Sequence, residues 1–285
     1  MARAAEDLGY DGIVVPDHIV RDSLTGAQFS PIPALVAAAA ATTRLRVGTL
    51  VLANDYRDPV LLAKDVATVD VLSGGRFDLG LGAGWSHSDY AALGRALDPP
   101  SVRVARLEEA LILIRRLFTE DRVDHDGEYY SVRAAALWPR PIQRPHPPFL
   151  VGGHGKRLLA VAARHADIVS IGLPAVPSAA DIGASALESR VEVVRAVAGS
   201  RFEALTLHLQ ADIRLTANAS LAYAETAARI GCPVEDVRAS PYFIYGTIDA
   251  VAEQIAELRE SYRIGYLRVT EDQMASAAAL IGRVR

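Results

Sequence analysis

Residues 72–85 read LSGGRFDLGLGAGW. Ser73, Gly74 and Gly75 make a turn, Phe77, Leu79 and Leu81 alternate with smaller or polar residues, and glycines follow at 80, 82 and 84. This is a strand entered from a tight turn and left as backbone that side chains do not cover. Glycine there permits positive φ and lets a flat or anionic ligand approach the peptide groups. Taken alone, the stretch is equally a plain strand ending in a flexible loop. The same order recurs along the chain: an apolar run, then glycine or a polar cluster, then a helical pattern.

Working outward, the chain opens on helix formers (Ala2, Ala4, Ala5, Leu8) closed by Gly9, then a strand at 13–15 ending in Pro16, Asp17 and His18. Proline cannot donate to a central ladder, so the strand finishes there and two polar side chains stand at its mouth. An alanine-rich helix at 33–43, a buried strand at 45–52 with Gly48 inside it, and a helix at 59–72 lead back to the opening stretch. Beyond Trp85 the rhythm breaks over an irregular insertion at about 86–148, with an amphipathic helix at 106–118, a hairpin turn at 126–130 and a proline-rich run. It then resumes: a strand at 149–151 empties into Gly152, Gly153, His154 and Gly155, a helix covers 156–165, and strands follow at 168–171, 205–215 and 266–270, with helices between. In the strand at 205–215, Leu205, Leu207, Leu209, Ala211 and Ile213 alternate with Thr206, His208, Gln210 and Asp212, so one face suits the helices and the other a lumen.

Seven strands separated by helices predict a parallel sheet with right-handed crossovers. Repetition over residues 1–285 with no second compositional region favours a single α/β domain, a (β/α)₈ TIM barrel, over an open doubly wound sheet. The eighth strand would precede Ala2, so the first strand is missing at the N-terminus and an imperfectly closed barrel with an exposed edge is expected.

Composition narrows the function. A net charge of -4 gives no electrostatic case for nucleic acid. Cys232 is the single cysteine, which excludes a disulfide framework or cysteine metal cluster and makes a reducing cytoplasm the simplest compartment. No apolar run reaches membrane length, and the first ten residues do not read as a signal peptide because acids interrupt them. The seven histidines show no pair at metal-ligand spacing, there is no G-x-S-x-G elbow, and the acidic group Asp121, Asp124, Asp126 and Glu128 does not follow the calcium-loop pattern. GLGAG at 80–84 is not a dinucleotide fingerprint, since its third glycine comes one residue early, and 150–157 is not a Walker loop. His18 stands at a strand end with a side chain suited to proton transfer near neutrality, and it serves equally as a loop cap. Gly152 to Gly155 precede a helix N-terminus that favours a phosphate, and they serve equally as a plain turn.

PDHI at 16–19, TTRLRVGTLVL at 42–52, DVLSGGRFDLGLGAGW at 70–85 and PPFLVGGHG at 147–155 together resemble the bacterial luciferase-like monooxygenase family, and within it the branch dependent on the deazaflavin coenzyme F420. The resemblance spans nearly the whole chain and implies an eight-stranded barrel with an insertion, commonly dimeric, binding a flavin or deazaflavin at the C-terminal mouth. It implies His18 as the proton-handling residue and Asp17 as a ring contact. Thr49 and Leu50 match the place where the family carries a bulge with a non-proline cis peptide behind the ring. Gly82, Ala83 and Gly84 match its ring loop, and Gly152, Gly153, His154 and Gly155 its phosphate loop. The family's sugar-phosphate dehydrogenases carry a tryptophan after the Asp-His pair and a glutamate after the glycine loop, where this chain has Asp22 and Trp85. The sugar-phosphate substrate is therefore not carried over, and Trp85 reads as a pocket wall or as core.

The expectation is an F420-dependent oxidoreductase moving a hydride to or from a small organic substrate, with no metal. Two alternatives stand beside it: a monooxygenase using reduced FMN and O₂, and a shortened barrel without catalysis.

Overall fold

The computed structural model of the chain describes residues 1–20 and 28–284. Its strands are β1 (Gly12–Val15), β2 (Arg46–Thr49), β3 (Leu52–Ala53), β4 (Phe77–Gly82), β5 (Val123–Asp126), β6 (Ser131–Ala135), β7 (Phe149–Gly153), β8 (Ile168–Ile171), β9 (Thr206–Leu209), β10 (Asp212–Leu215), β11 (Phe243–Gly246) and β12 (Ile264–Leu267). The main sheet runs β1-β2-β4-β7-β8-β9-β12, all parallel, with β3 also on β4. Helices cross between the strands and pack outside them, as alternating strand and helix require. The seven strands of this path are those legible in the sequence. The path ends at β1 and β12, and these two edges flank a cavity of about 1830 Å³.

The opening stretch forms as the sequence demands. Asp58 caps the helix Pro59–Ser73 by accepting from the N–H groups of Val60 and Leu61, and Gly74 closes it in the left-handed region at φ 67°. Arg76 then gathers five acceptors: Ser73 O at 2.6 Å, Leu45 O at 2.7 Å, Ala39 O at 2.9 Å, and Thr42 O and Oγ1 at 3.2 Å. It satisfies carbonyls left over at the ends of two helices and pins them to the start of β2. Phe77, Leu79 and Leu81 are fully buried, and Gly80 is obligatory because a Cβ there would lie 1.8 Å from Thr49 O on β2.

Two expected strands are revised and one strand was not foreseen. The strand expected over 45–52 is two, β2 and β3, parted at the cis peptide Leu50-Val51. The strand expected over 205–215 breaks at Gln210 and Ala211: β9 stays in the main sheet, while β10 turns away and pairs in parallel with β11. β11 itself was not read from the sequence; its four residues are all buried, so they show no alternation. The hairpin expected in the insertion is present as antiparallel β5 and β6, and the amphipathic helix extends over Pro100–Thr119.

Candidate active site

In a parallel α/β sheet, functional side chains gather where strands end, because the loops there diverge and leave room. β1 ends at Val15, and Asp17 and His18 follow. Asp17 is buried and its carboxylate is fully engaged: Arg57 Nη2 donates to Oδ1 at 2.9 Å, Arg57 Nη1 donates to Oδ2 at 2.5 Å, and Ala53 N donates to Oδ2 at 3.1 Å. It ties the end of β1 to the segment after β3.

His18 has a partner the sequence did not announce. Its Nδ1 lies 2.7 Å from Oδ2 of Asp89, a residue with no exposed surface. The other carboxylate oxygen accepts the N–H groups of Ile19 at 2.9 Å and Val20 at 3.0 Å. Burial alone pushes the Asp89 carboxyl up, but the Val20 N–H, the His18 ring, the Ile19 N–H and the Ser86 hydroxyl together hold it below its usual value. Asp89 is therefore an ionised, buried acceptor that fixes both the ring and the backbone after it. With Nδ1 taken, Nε2 is the ring nitrogen left for other chemistry. The tyrosine beside this cluster, Tyr56, has its hydroxyl pushed well up by burial and by the carboxylates of Asp89, Asp17 and Asp55, so it stays protonated.

The glycine loop after β4 delivers the third component. Trp85 packs edge-on against the His18 ring at 5.3 Å between centroids and is 45% exposed, so it is a wall beside the histidine and not core. Gly84 has φ 75°, and Tyr90 Oη lies 2.4 Å from where its Cβ would be. Arg103, itself buried, donates to the carbonyls of Ala83 and Gly84 and orients the loop.

Thr49 points into the sheet, exchanging two 2.8 Å hydrogen bonds with the backbone of Gly80. The non-proline cis peptide lies one residue beyond the expected pair, at Leu50-Val51. Val51 then covers two glycines at once: a Cβ on Gly82 would meet it at 2.7 Å and one on Gly152 at 3.1 Å. The segment after β2, the glycine loop of β4 and the start of the glycine turn of β7 thus share one contact surface. Past it, Gly153 ends β7, His154 and Gly155 are exposed, and the helix Lys156–His165 starts at Gly155 with no side-chain cap. Desolvation, then the charge of Arg190, push the His154 imidazole below its ordinary value. Asp22 lies outside the described residues.

The expected residues therefore sit at the C-terminal ends of adjacent strands, in the order β1, β2, β4, β7. The large cavity between β1 and β12 is a separate space; of the first site it touches Val15 and Pro16. Among the described residues no group of three or more metal-ligating side chains assembles, and no helix is long and apolar enough to cross a membrane.

A model of the luciferase-like monooxygenases matches residues 1–283. The chain belongs to the luciferase-like monooxygenase family. Among curated relatives of this family member is an F420-dependent glucose-6-phosphate dehydrogenase of Amycolatopsis mediterranei, 35% identical over 165 residues, which are 57% of this chain and 49% of that one. The chain spans about half to two thirds of the length of the curated relatives it matches. Among solved structures, the luciferase-like fold is shared with an F420-dependent secondary alcohol dehydrogenase in complex with an F420-acetone adduct, at a TM-score of 0.81 and 18% identity, covering 100% of this chain and 93% of that one. It is shared also with monooxygenase RslO1 from Streptomyces bottropensis, at a TM-score of 0.77 and 20% identity, covering 98% and 91%.

Proposed function

We propose that this family member is an oxidoreductase that moves a hydride between coenzyme F420 and a small organic substrate at the C-terminal ends of β1, β2, β4 and β7. The observation that carries the reading is the His18–Asp89 pair beside Trp85, next to a row of glycines that Val51 backs. Any side chain at Gly82 or Gly152 would run into Val51, so these glycines let the segment after the cis peptide close against β4 and β7 beside the histidine, and the uncapped helix start at Gly155 suits an anionic tail. When bound, the coenzyme supplies the hydride. His18 holds or delivers the accompanying proton at Nε2, Asp89 fixes the ring, and Trp85 excludes water from one side. Gly82, Ala83 and Gly84 would lie along the ring, and Gly152, Gly153, His154 and Gly155 around the phosphate. Asp17, with its oxygens committed to Arg57 and Ala53, would touch the ring only through its outer edge.

A monooxygenase using reduced FMN is the second reading, favoured by the family's namesake chemistry and by the fold shared with RslO1. The third reading is a barrel without catalysis. Titration of the purified protein with F420 and with FMN separates them: tight F420 binding supports the proposal, preference for FMN supports the second reading, and binding of neither the third. A homodimer in the cytoplasm completes the proposal, supported by the exposed Leu61, Leu72, Trp138 and Ile142, and light scattering on the purified protein tests the dimer.

A further inference from the structure

The helix His87–Ala92 carries two adjacent residues with different duties. Asp89 faces His18, and Tyr90, the next residue and so about 100° further round the helix, faces the segment after β3. Tyr90 is buried, its hydroxyl donates to Asp55 Oδ2 at 2.8 Å, and its ring lies against Gly84, in the place a side chain there would need. Burial, and then that hydrogen bond, push the hydroxyl up, so it stays the donor. The ring also meets Tyr56 edge to face at 5.4 Å between centroids. Directly after the Gly84 that it supports comes Trp85, whose ring stands against His18.

Asp55 has a second partner, from the insertion. Its side chain is 5% exposed, and Oδ2 also accepts from Arg106 Nη1 at 2.9 Å. Arg106, on the helix Pro100–Thr119, reaches Asp98 with its other terminal nitrogen at 2.5 Å and lies over the Tyr129 ring at 5.4 Å. The hairpin tip that carries Tyr129 is held by one carboxylate: Glu109 accepts the N–H groups of Glu128 at 3.1 Å, Tyr129 at 3.0 Å and Tyr130 at 2.9 Å. The Tyr130 hydroxyl in turn accepts from Asn54 Nδ2 at 3.0 Å. Residues 54 and 55 are thus bonded to the insertion through Tyr130 and Arg106, and to the helix His87–Ala92 through Tyr90. Arg95, just beyond that helix, donates to the Asp55 carbonyl as well.

A buried ion pair adds little net stability, because desolvation offsets its attraction, but its geometry admits one arrangement of the elements that meet on it. Three meet on the Asp55 carboxylate: its own turn after β3, the helix Pro100–Thr119 and the helix His87–Ala92. We infer that Asp55 is a positioning residue: by anchoring Tyr90 it fixes the rotation of the helix His87–Ala92, and with it both Asp89 against His18 and Trp85 as the wall beside the ring. Arg106 ties the insertion to the site through the same carboxylate. Without the anchor, a shift of about 1 Å at Asp89 takes its 2.7 Å contact with His18 Nδ1 out of hydrogen-bond range. This role deepens the proposed redox reading and rests on it only where turnover is measured.

The test uses the whole chain with Trp138→Phe, which leaves Trp85 as the single tryptophan, and reads Trp85 emission and its quenching by acrylamide without cofactor. Asp55→Ala should shift the emission to the red and raise the quenching. It should also abolish the change in emission that His18→Ala causes in the otherwise unaltered protein, because the two rings no longer meet. Tyr90→Phe, which removes the anchor and keeps the ring, should act in the same direction, and it serves in place of Asp55→Ala should that variant fail to fold by circular dichroism. Arg76→Ala, at the other end of β4 from Gly84, should leave the Trp85 signals unchanged. On any substrate that supports turnover, Asp55→Ala should lower kcat by about ten-fold or more with little change in cofactor affinity. Unchanged Trp85 signals in the folded variants, an equal response in Arg76→Ala, or an unaltered kcat where turnover exists each overturns the assignment. Changed signals in a protein that binds neither F420 nor FMN uphold the positioning and fail the redox reading alone, whereas turnover with F420 beside unchanged signals does the reverse.

Discussion

Removing Asp89 should separate its two duties, holding the backbone and holding the histidine. In Asp89→Ala, the N–H groups of Ile19 and Val20 lose an acceptor at 2.9 and 3.0 Å, and the His18 ring loses one at 2.7 Å. Three hydrogen bonds to a charged acceptor contribute about 1.5–3 kcal/mol each, while the deletion also relieves several kcal/mol of carboxylate desolvation. The net loss is expected to be about 3 kcal/mol, read from urea unfolding, with faster amide exchange at Ile19 and Val20. Asp89→Asn keeps a carbonyl for those two N–H groups and should cost only about 1 kcal/mol. What it loses is the negative charge facing Nδ1, so on any substrate that supports turnover it should lower kcat by about ten- to a hundred-fold with little change in cofactor affinity. His18→Ala should reduce turnover in the same way and leave cofactor binding largely intact. An Asp89→Asn variant with wild-type turnover would refute the positioning role. An Asp89→Ala variant as stable as wild type, with unchanged exchange, would refute the structural account from which both figures come.

Arg76→Ala leaves carbonyls of Ser73, Ala39, Thr42 and Leu45 without their shared donor, and it should cost about 3 kcal/mol or more in urea unfolding with no direct effect on chemistry. Gly82→Ala puts a methyl 2.7 Å from Val51 Cγ2 and should cost about 1–3 kcal/mol, weakening cofactor binding more than a control substitution at the unobstructed Gly282, far from the proposed site in sequence. His208, held down to about 3 by burial, makes stability depend on pH. The unfolded chain takes up a proton near pH 6.5 and the folded chain does not, so this contribution is present above about 6.5 and is lost as pH falls toward about 3. Between pH 7 and 5 wild type should lose about 2 kcal/mol more than His208→Gln, and equal losses would remove His208 as the cause.

Whether a residue's role was legible in the sequence depended on whether it acts locally or across the fold. Pro16 forces β1 to end, which places His18 at a strand mouth from two residues away. The glycines at 80, 82 and 152 announce a close backbone approach, and each is closed off by a neighbouring strand or by Val51. Asp89 carried no such mark. Ser86 caps the helix His87–Ala92 by accepting from Asp89 N, so a local reading already explains an acid three residues after a serine. Its partner lies 71 residues away in sequence, beyond any periodic signal. β11 was hidden for a related reason, since four consecutive buried residues have no solvent side and hence no alternation to betray them. Arg76 is the converse case: LSGGR is the most recognisable part of the chain, yet its arginine serves to gather carbonyls. The alternation over 205–215 went furthest, because its apolar members are all buried and its polar member His208 is buried too. A polar side chain with no exposure on the face opposite the helices must look into the sheet's interior, so two-residue periodicity located a lumen before any strand was paired.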